Sequence, residues 1–337
     1  MDFNSSLVTL FEVSWEVCNK VGGIHSVVTS KALQAVEHFG EDYFLLGPAL
    51  KDNPGFEETD EHAWDSLRIG LATRDLKCRL GRWNIPGRPK VILVDFDKRY
   101  ASNQLLFEMW KNYGVDSLSG GWDYIEPVMF AAACGEVIAA VHESRVEPMQ
   151  GHSVALFHEW MCAAGLLMVK KLAPEVGTVF TTHATMLGRA LAATGRDIYS
   201  NMRNINPANE AAALNITAKW SMESTAAREA DAFTTVSPIT GEESTVFLGR
   251  KTHPPVQLAA GSQKDSSAVS PAGGALSERH AAILHPRANP AGSGTSPPVV
   301  RPCEAHAPVS DRQIYLTDPL HRRSVSSPAQ WYGTHLP

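Results

Sequence analysis

The stretch "LVTLFEVSWEVCNKVGGIHSVVTSKALQAVEHF", residues 7–39, decides the fold class. It opens with an apolar strand, LVTLFEV, and then enters a loop that contains Lys20 and two adjacent glycines, Gly22 and Gly23. After the loop, apolar residues recur at roughly helical spacing from Ile24 to Phe39, which predicts a helix. A strand, a short glycine-containing loop and a helix in this order form the repeating unit of an α/β sheet.

The same alternation of strand and helix continues to about Lys251. Further strands are predicted at YFLLG, SVALFH, TVFTTH and AFTTVS, and two more flank the Pro-Gly turn in CRLGRWNIPGRPKVILVDF. Further helices are predicted at about 126–144, 160–172 and 207–230, at ATMLGRALAAT and at ITGEESTVFLGRK. Short strands that are apolar on both faces are typical of a parallel sheet covered by helices on both sides. The sequence therefore predicts a doubly wound α/β domain with a parallel sheet.

The composition changes at Thr252. Residues 252–337 are crowded with Pro, Ser, Gly, Ala and His and show no periodic apolar face. Because such a segment cannot bury enough apolar surface to offset the entropy of the chain, it is predicted to be disordered. The expected organisation is one α/β domain over residues 1–251 and a disordered tail over 252–337. The abrupt change suggests a frameshifted or truncated reading of a longer gene.

Charge and composition argue against several classes of protein. The chain of 337 residues has a net charge of −6, which disfavours a nucleic-acid partner. The most apolar run, PVMFAAACGEVIAAVHES, is interrupted by Gly135 and Glu136 and is predicted to be a buried helix rather than a membrane span. The five cysteines show no CxxC spacing, which favours free thiols in a reducing cytoplasm over disulfides or zinc ligands.

The loop after the first strand is the first candidate site. Adjacent glycines let backbone N–H groups approach an anion, the following helix contributes its positive end, and Lys20 adds a charge. This combination favours contact with a diphosphate through Lys20, Gly22 and Gly23. The loop matches neither GxGxxG nor the P-loop pattern, so neither a dinucleotide fingerprint nor a P-loop is predicted. A purely structural turn is the alternative interpretation.

Two histidines form the second candidate site. His158, in FHEW, and His183, in TTHAT, each end an apolar strand. In an open α/β sheet, ligands bind beyond the carboxyl ends of the strands, so both rings are candidates for substrate contact. The HExxH pattern is absent and no metal is predicted. A hydrogen-bonded structural histidine is the alternative for His158. The aromatic residues of GRW and GGWDY are expected on loops, either stacked on sugars or as packing residues.

Several segments taken together resemble one family. The segments are LFEVSWEVCNKVGGIHSVVTSKA, YFLLGP, GRW, FHEW, FTTHATMLGRALA, SMESTAAREADAFTTVSPIT and FLGRK. In this order, over residues 7–251, they resemble the glycogen synthases of the animal and fungal type and their bacterial relatives. The resemblance implies the N-terminal, acceptor-side Rossmann-like domain of a GT-B glycosyltransferase, in which two such domains face each other across a cleft.

The resemblance also implies an activity and roles for particular residues. Members of the family transfer glucose from UDP-glucose or ADP-glucose to the 4-hydroxyl of an α-1,4-glucan such as glycogen, with retention and without a metal or other cofactor. Lys20, Gly22 and Gly23 match the loop that approaches the donor diphosphate. His158 matches a catalytic histidine near the transferred glucose, and His183 matches a histidine that lines the cleft.

The sequence departs from the family pattern after FLGRK. The second domain of the family, which grips the donor phosphates and the nucleotide base, is not recognised in this sequence. We therefore expect the chain alone to be inactive or nearly so, and to self-associate through the surface on which a second domain packs. One rival hypothesis is a non-catalytic remnant that binds glucan or a partner. Another is a Rossmann oxidoreductase that uses NAD, against which the absence of GxGxxG counts.

Overall fold

A computed structural model of the chain describes residues 8–97 and 99–252. The strands in this part are β1 (Val8–Val13), β2 (Tyr43–Pro48), β3 (Phe56–Glu58), β4 (Cys78–Trp83), β5 (Lys90–Val94), β6 (His152–His158), β7 (Gly177–Thr182) and β8 (Ala232–Thr235). The α-helices are α1 (Ile24–Phe39), α2 (Asp65–Thr73), α3 (Ser102–Tyr113), α4 (Trp122–Val141), α5 (Ala163–Leu172), α6 (Met186–Ala193), α7 (Pro207–Ala213), α8 (Thr217–Glu229) and α9 (Pro238–Phe247). Beyond Thr252, the predicted tail lies outside the described residues.

The strands form one sheet in the order β3-β4-β5-β2-β1-β6-β7-β8. The six strands from β5 to β8 in this order pair in parallel, as predicted. The hairpin predicted around the Pro-Gly turn is present, and it makes β4 antiparallel to β5 and to the short edge strand β3. The order of strands reverses between β1 and β6. After β1 the chain adds β2 to β5 on one side of it, and then adds β6, β7 and β8 on the other side. This reversal is the switch point at which open α/β sheets bind ligands.

Helices cover both faces of the sheet, so the doubly wound fold is confirmed. On one face, Val28 of α1 belongs to a core cluster with Leu45, Val91 and Val154 of the strands. On the other face, a larger cluster joins the strands to α2, α4, α5 and α8. Strands β2 and β5 are buried along their whole length, as strands between two helical layers must be.

Helix α4 is the core helix predicted from the sequence. It begins four residues earlier than predicted, at Trp122, and nearly all of its side chains from Pro127 onward are buried. The continuous helical segment Trp122–Met149 is long and apolar enough to cross a membrane by length and composition, but 83% of its most apolar window is buried inside the protein. This burial agrees with the predicted core helix.

Three predictions of local structure are wrong. The long helix expected over 207–230 is two helices, α7 and α8, because the chain turns at Asn215, whose φ of 55° is left-handed. Asn is one of the few residues that adopt this conformation readily. The GRW segment does not lie on a loop but forms the end of β4, where Trp83 is buried. The aromatic residues of GGWDY, Trp122 and Tyr124, likewise lie in the first turn of α4 and not on a loop.

Candidate functional site

The carboxyl ends of β1, β6 and β7 meet at the switch point of the sheet. Val13 lies in register with Phe157, and His158 with Thr181. Three ionisable side chains from these strand ends converge: Glu12 of β1, His158 of β6, and His183, the first residue after β7. Because parallel strands end at the same edge, three segments distant in sequence contribute to one cluster.

Glu12 is the fully buried centre of this cluster. Its Oε1 lies 2.7 Å from Nε2 of His158 and 2.7 Å from Nζ of Lys31 on α1. Its Oε2 accepts a hydrogen bond of 2.6 Å from the hydroxyl of Tyr43. Burial alone would raise the pKa of Glu12, but the Lys31 charge and the contact with His158 outweigh it and hold this pKa at about 2. Glu12 is therefore an ionised carboxylate at neutral pH.

The two predicted histidines lie side by side. Nδ1 of His158 is 2.9 Å from Nε2 of His183, so both ring nitrogens of His158 contact side chains of the protein. His158 is only 3% exposed, and burial lowers its pKa below the usual value although Glu12 acts in the opposite direction. Burial, followed by the charges of His158 and Arg189, lowers the pKa of His183 to about 4. Both rings are therefore neutral at pH 7.

The glycine loop already holds an anion supplied by the chain. The backbone N–H groups of Gly22 and His25 donate hydrogen bonds of 2.8 and 2.9 Å to one carboxylate oxygen of Glu16. Lys20, Gly22 and Gly23 lie together on the exposed surface of this loop. A Cβ atom on Gly22 would lie 3.0 Å from the second oxygen of Glu16, so the carboxylate fits closely against the loop. The backbone donors are thus arranged for an anion at the start of α1.

Two further acidic side chains support the turn that carries His183. Glu159, whose φ of 65° is left-handed, accepts hydrogen bonds from the backbone N–H groups of His183 and Ala184 at 2.8 and 3.1 Å. The buried Glu223 of α8 accepts one from the N–H of Met186 at 2.8 Å. Burial raises the pKa of both glutamates. These contacts fix the backbone on which the His183 ring stands.

The candidate sugar-stacking aromatic residues are mostly packing residues. Trp83 packs edge-on against His25, with ring centroids 5.3 Å apart, and Tyr124 stacks on Trp160 with centroids 6.0 Å apart. Trp122, in the GGWDY segment, is the exposed one of these rings. Within residues 8–97 and 99–252, no group of three or more His, Cys, Asp and Glu side chains is arranged to hold a metal ion.

Comparison with known proteins identifies the family. A family model described as glycogen synthase matches residues 12–263, which is most of the chain. The chain belongs to the glycogen synthase family. The glycogen [starch] synthase of Caenorhabditis elegans is 36% identical over 251 residues, which cover 72% of this chain and 37% of that protein. The liver glycogen [starch] synthase of Rattus norvegicus is 36% identical over 248 residues, covering 72% of this chain and 35% of that protein.

The chain thus spans little more than a third of the length of these glycogen synthases. Among solved structures, the catalytic domain of starch synthase IV from Arabidopsis thaliana, bound to ADP and acarbose, is 15% identical with a TM-score of 0.39. That match covers 73% of this chain and 50% of the starch synthase chain.

The family motifs alone did not predict the whole cluster. The sequence-based site contains His158 and His183 but omits Glu12, Glu16 and Lys31. For Glu12 a signal exists in the sequence, because a carboxylate in the middle of an apolar strand must find a partner when that strand is buried. For Lys31 no such signal exists, since it lies among polar residues of an amphipathic helix and its partner is known only from the packing of α1 on β1.

Proposed function

We propose that the chain contributes the acceptor-side domain of a glucosyltransferase of the glycogen synthase type. The reaction is transfer of glucose from a nucleotide diphosphate sugar to the 4-hydroxyl of an α-1,4-glucan with retention, and UDP-glucose is favoured over ADP-glucose as the donor. The observation that carries the proposal is family membership over residues 12–263, which include the glycine loop and both histidines. The enzyme is proposed to work in the cytoplasm without a metal ion or other cofactor.

The proposed roles follow the chemistry of each part of the site. The glycine loop carries backbone N–H groups that Glu16 occupies in this structure, together with the exposed Lys20 cation, and this anion-binding arrangement suits the donor diphosphate. His158 and His183 form a coupled pair beside the transferred glucose, where positive charge develops as the bond to the diphosphate breaks. Neutral rings suit this position because they bring no charge that would oppose the developing one.

The experiment is a domain exchange. Residues 1–252 are joined to the remaining part of the Caenorhabditis elegans relative in place of its own N-terminal part, and incorporation of labelled glucose into glycogen is measured with UDP-glucose and with ADP-glucose. We expect activity with UDP-glucose and an α-linked product, and activity close to background for the 337-residue chain by itself. A folded hybrid that binds both substrates without turnover would contradict the proposal, and would support a non-catalytic glucan-binding role instead.

A further inference from the structure

The cluster at the switch point fixes which nitrogen of each histidine carries hydrogen. Glu12 is ionised, and an ionised carboxylate only accepts hydrogen bonds. The hydroxyl of Tyr43 and the ammonium group of Lys31 already donate to it. The third neighbour, Nε2 of His158 at 2.7 Å, must therefore also be a donor. His158 is held as the tautomer that carries hydrogen on Nε2.

This tautomer determines the next one. A neutral imidazole has one N–H group and one lone pair, so Nδ1 of His158 is an acceptor. Nε2 of His183 lies 2.9 Å from Nδ1 of His158 and must therefore donate its hydrogen to that nitrogen. A neutral His183 with hydrogen on Nε2 keeps its remaining lone pair on Nδ1. The carboxylate of Glu12 thus sets the acceptor atom of a ring that it does not touch.

The position of His183 makes this lone pair available. His183 is partly exposed, whereas His158 is almost completely buried. In the part of the chain that the structure describes, no side chain or backbone group hydrogen-bonds to Nδ1 of His183, and this nitrogen is not a buried atom. It is therefore an accessible acceptor without a partner among the described residues.

We propose that Glu12 is a positioning residue that acts through His158 to present the Nδ1 lone pair of His183 to a hydroxyl group of a bound glucose unit. The identity of the ligand rests on the proposed function. A lone pair repels phosphate oxygens and attracts a hydroxyl donor, whereas the glycine loop with Lys20 attracts anions. The site therefore has an end suited to a sugar and an end suited to a diphosphate, and the free lone pair of His183 lies at the sugar end.

The tautomers are measured directly on the full chain with ¹⁵N-labelled histidine, by long-range ¹H–¹⁵N correlation at neutral pH. We expect hydrogen on Nε2 of both rings and an unprotonated Nδ1 on His183. Assignment comes from His158→Gln and His183→Gln spectra. Hydrogen on Nδ1 of His183 in the wild-type chain would overturn the proposal, and this reading does not depend on any ligand.

Three variants separate positioning from a merely structural role. Glu12→Gln should keep both tautomers, because its amide oxygen still faces Lys31 and His158 while its NH₂ group meets the Tyr43 hydroxyl. Glu12→Leu should lose them and give averaged nitrogen shifts. Tyr43→Phe removes a different contact of Glu12 and should leave both tautomers unchanged. Retained tautomers in a folded Glu12→Leu chain would refute the positioning role; if that variant does not fold, the wild-type and Glu12→Gln spectra decide.

A ligand titration then tests the sugar contact. UDP-glucose or a maltooligosaccharide should shift the Nδ1 resonance of His183, and inorganic pyrophosphate, which has no sugar, should leave it in place. A sugar ligand that shifts other resonances but not this nitrogen would overturn the contact. If no ligand perturbs any resonance of the chain alone, the titration is repeated on the hybrid enzyme described above. A hybrid that turns over UDP-glucose without a shift at Nδ1 of His183 would overturn the sugar contact, and a folded hybrid without turnover would contradict the proposed function. In both cases the tautomers decide the role of Glu12.

Discussion

Gly135 of α4 and Gly165 of α5 lie where the two helices approach too closely to leave room for a side chain. A Cβ atom on Gly135 would lie 2.7 Å from the carbonyl oxygen of Gly165, and a Cβ on Gly165 would lie 2.6 Å from that of Ala131. The two helix backbones are therefore in direct contact. Since α5 follows closely on His158 and Glu159, this contact also fixes the segment that leads out of the site.

Substitution Gly165→Ala should destabilise the domain by about 1–3 kcal/mol, because the added methyl group forces the two helices apart. Gly241→Ala in α9 is the matched control, since its Cβ would meet its nearest neighbours at an ordinary 3.4 Å. There, the helix preference of Ala should add about 0.5–1 kcal/mol of stability. Urea denaturation of both variants measures the difference. Equal effects of the two substitutions would show that α4 and α5 do not touch as described.

Acid should destabilise the domain in a pH range set by His183. The pKa of this residue falls from 6.5 to about 4 on folding, so between these values the unfolded chain binds a proton that the folded chain does not. Its contribution to stability is therefore complete above pH 6.5 and decreases as the pH falls towards 4. The free energy of unfolding, measured across this range, should fall less steeply for His183→Gln. An unchanged slope in His183→Gln would contradict the prediction.

Glu223 should tolerate Gln but not Leu. Burial and the charge of Glu159 raise the pKa of Glu223 well above 4.5, so the folded state prefers the protonated acid and loses stability as the pH rises. Gln resembles this acid and should be at least as stable as wild type near neutral pH. Leu leaves the N–H of Met186 without its acceptor and should cost about 1–3 kcal/mol. Chemical denaturation of both variants at mildly alkaline pH gives their free energies of unfolding. A Glu223→Leu variant as stable as Glu223→Gln would refute the prediction.

Lys20→Ala should weaken donor binding without affecting the fold. In the active hybrid enzyme, loss of one charge-assisted contact with the diphosphate should raise the KM for the donor about tenfold and also slow turnover. The exposed Lys111→Ala on α3 serves as the control, and both variants should unfold at the wild-type Tm because surface substitutions rarely alter stability. A normal KM in Lys20→Ala would remove this lysine from the donor site.

The sequence predicted the strands of the sheet except the short edge strand β3, but it did not predict helices α2 and α3 or all of the side-chain contacts in the site. Strands such as YFLLGP and KVILV are recognisable because each is apolar on both faces. The break at Asn215 was missed because the residues on both sides favour helix, and only the backbone turn separates α7 from α8. In the site, strand ends located His158 and His183, but the hydrogen bond between them depends on the register of β6 and β7. This register depends on how the strands pack together and cannot be predicted from the sequence of either strand alone.

Because Glu16 occupies the N–H groups of Gly22 and His25, the proposed binding of a diphosphate at these groups would be an exchange of one anion for another. The Glu16 carboxylate is tied to Gly22 through only six residues of chain, so its effective concentration at the loop is on the order of millimolar or higher. A diphosphate bound to these N–H groups would have to displace the Glu16 carboxylate. Its measured binding free energy would then be the difference between its own interaction with the loop and that of Glu16. A ligand with a single carboxylate would replace one carboxylate by another and would gain little binding free energy. The proposed diphosphate would gain by its higher charge and its reach to Lys20, so Glu16 would make the loop favour a diphosphate over a singly charged anion.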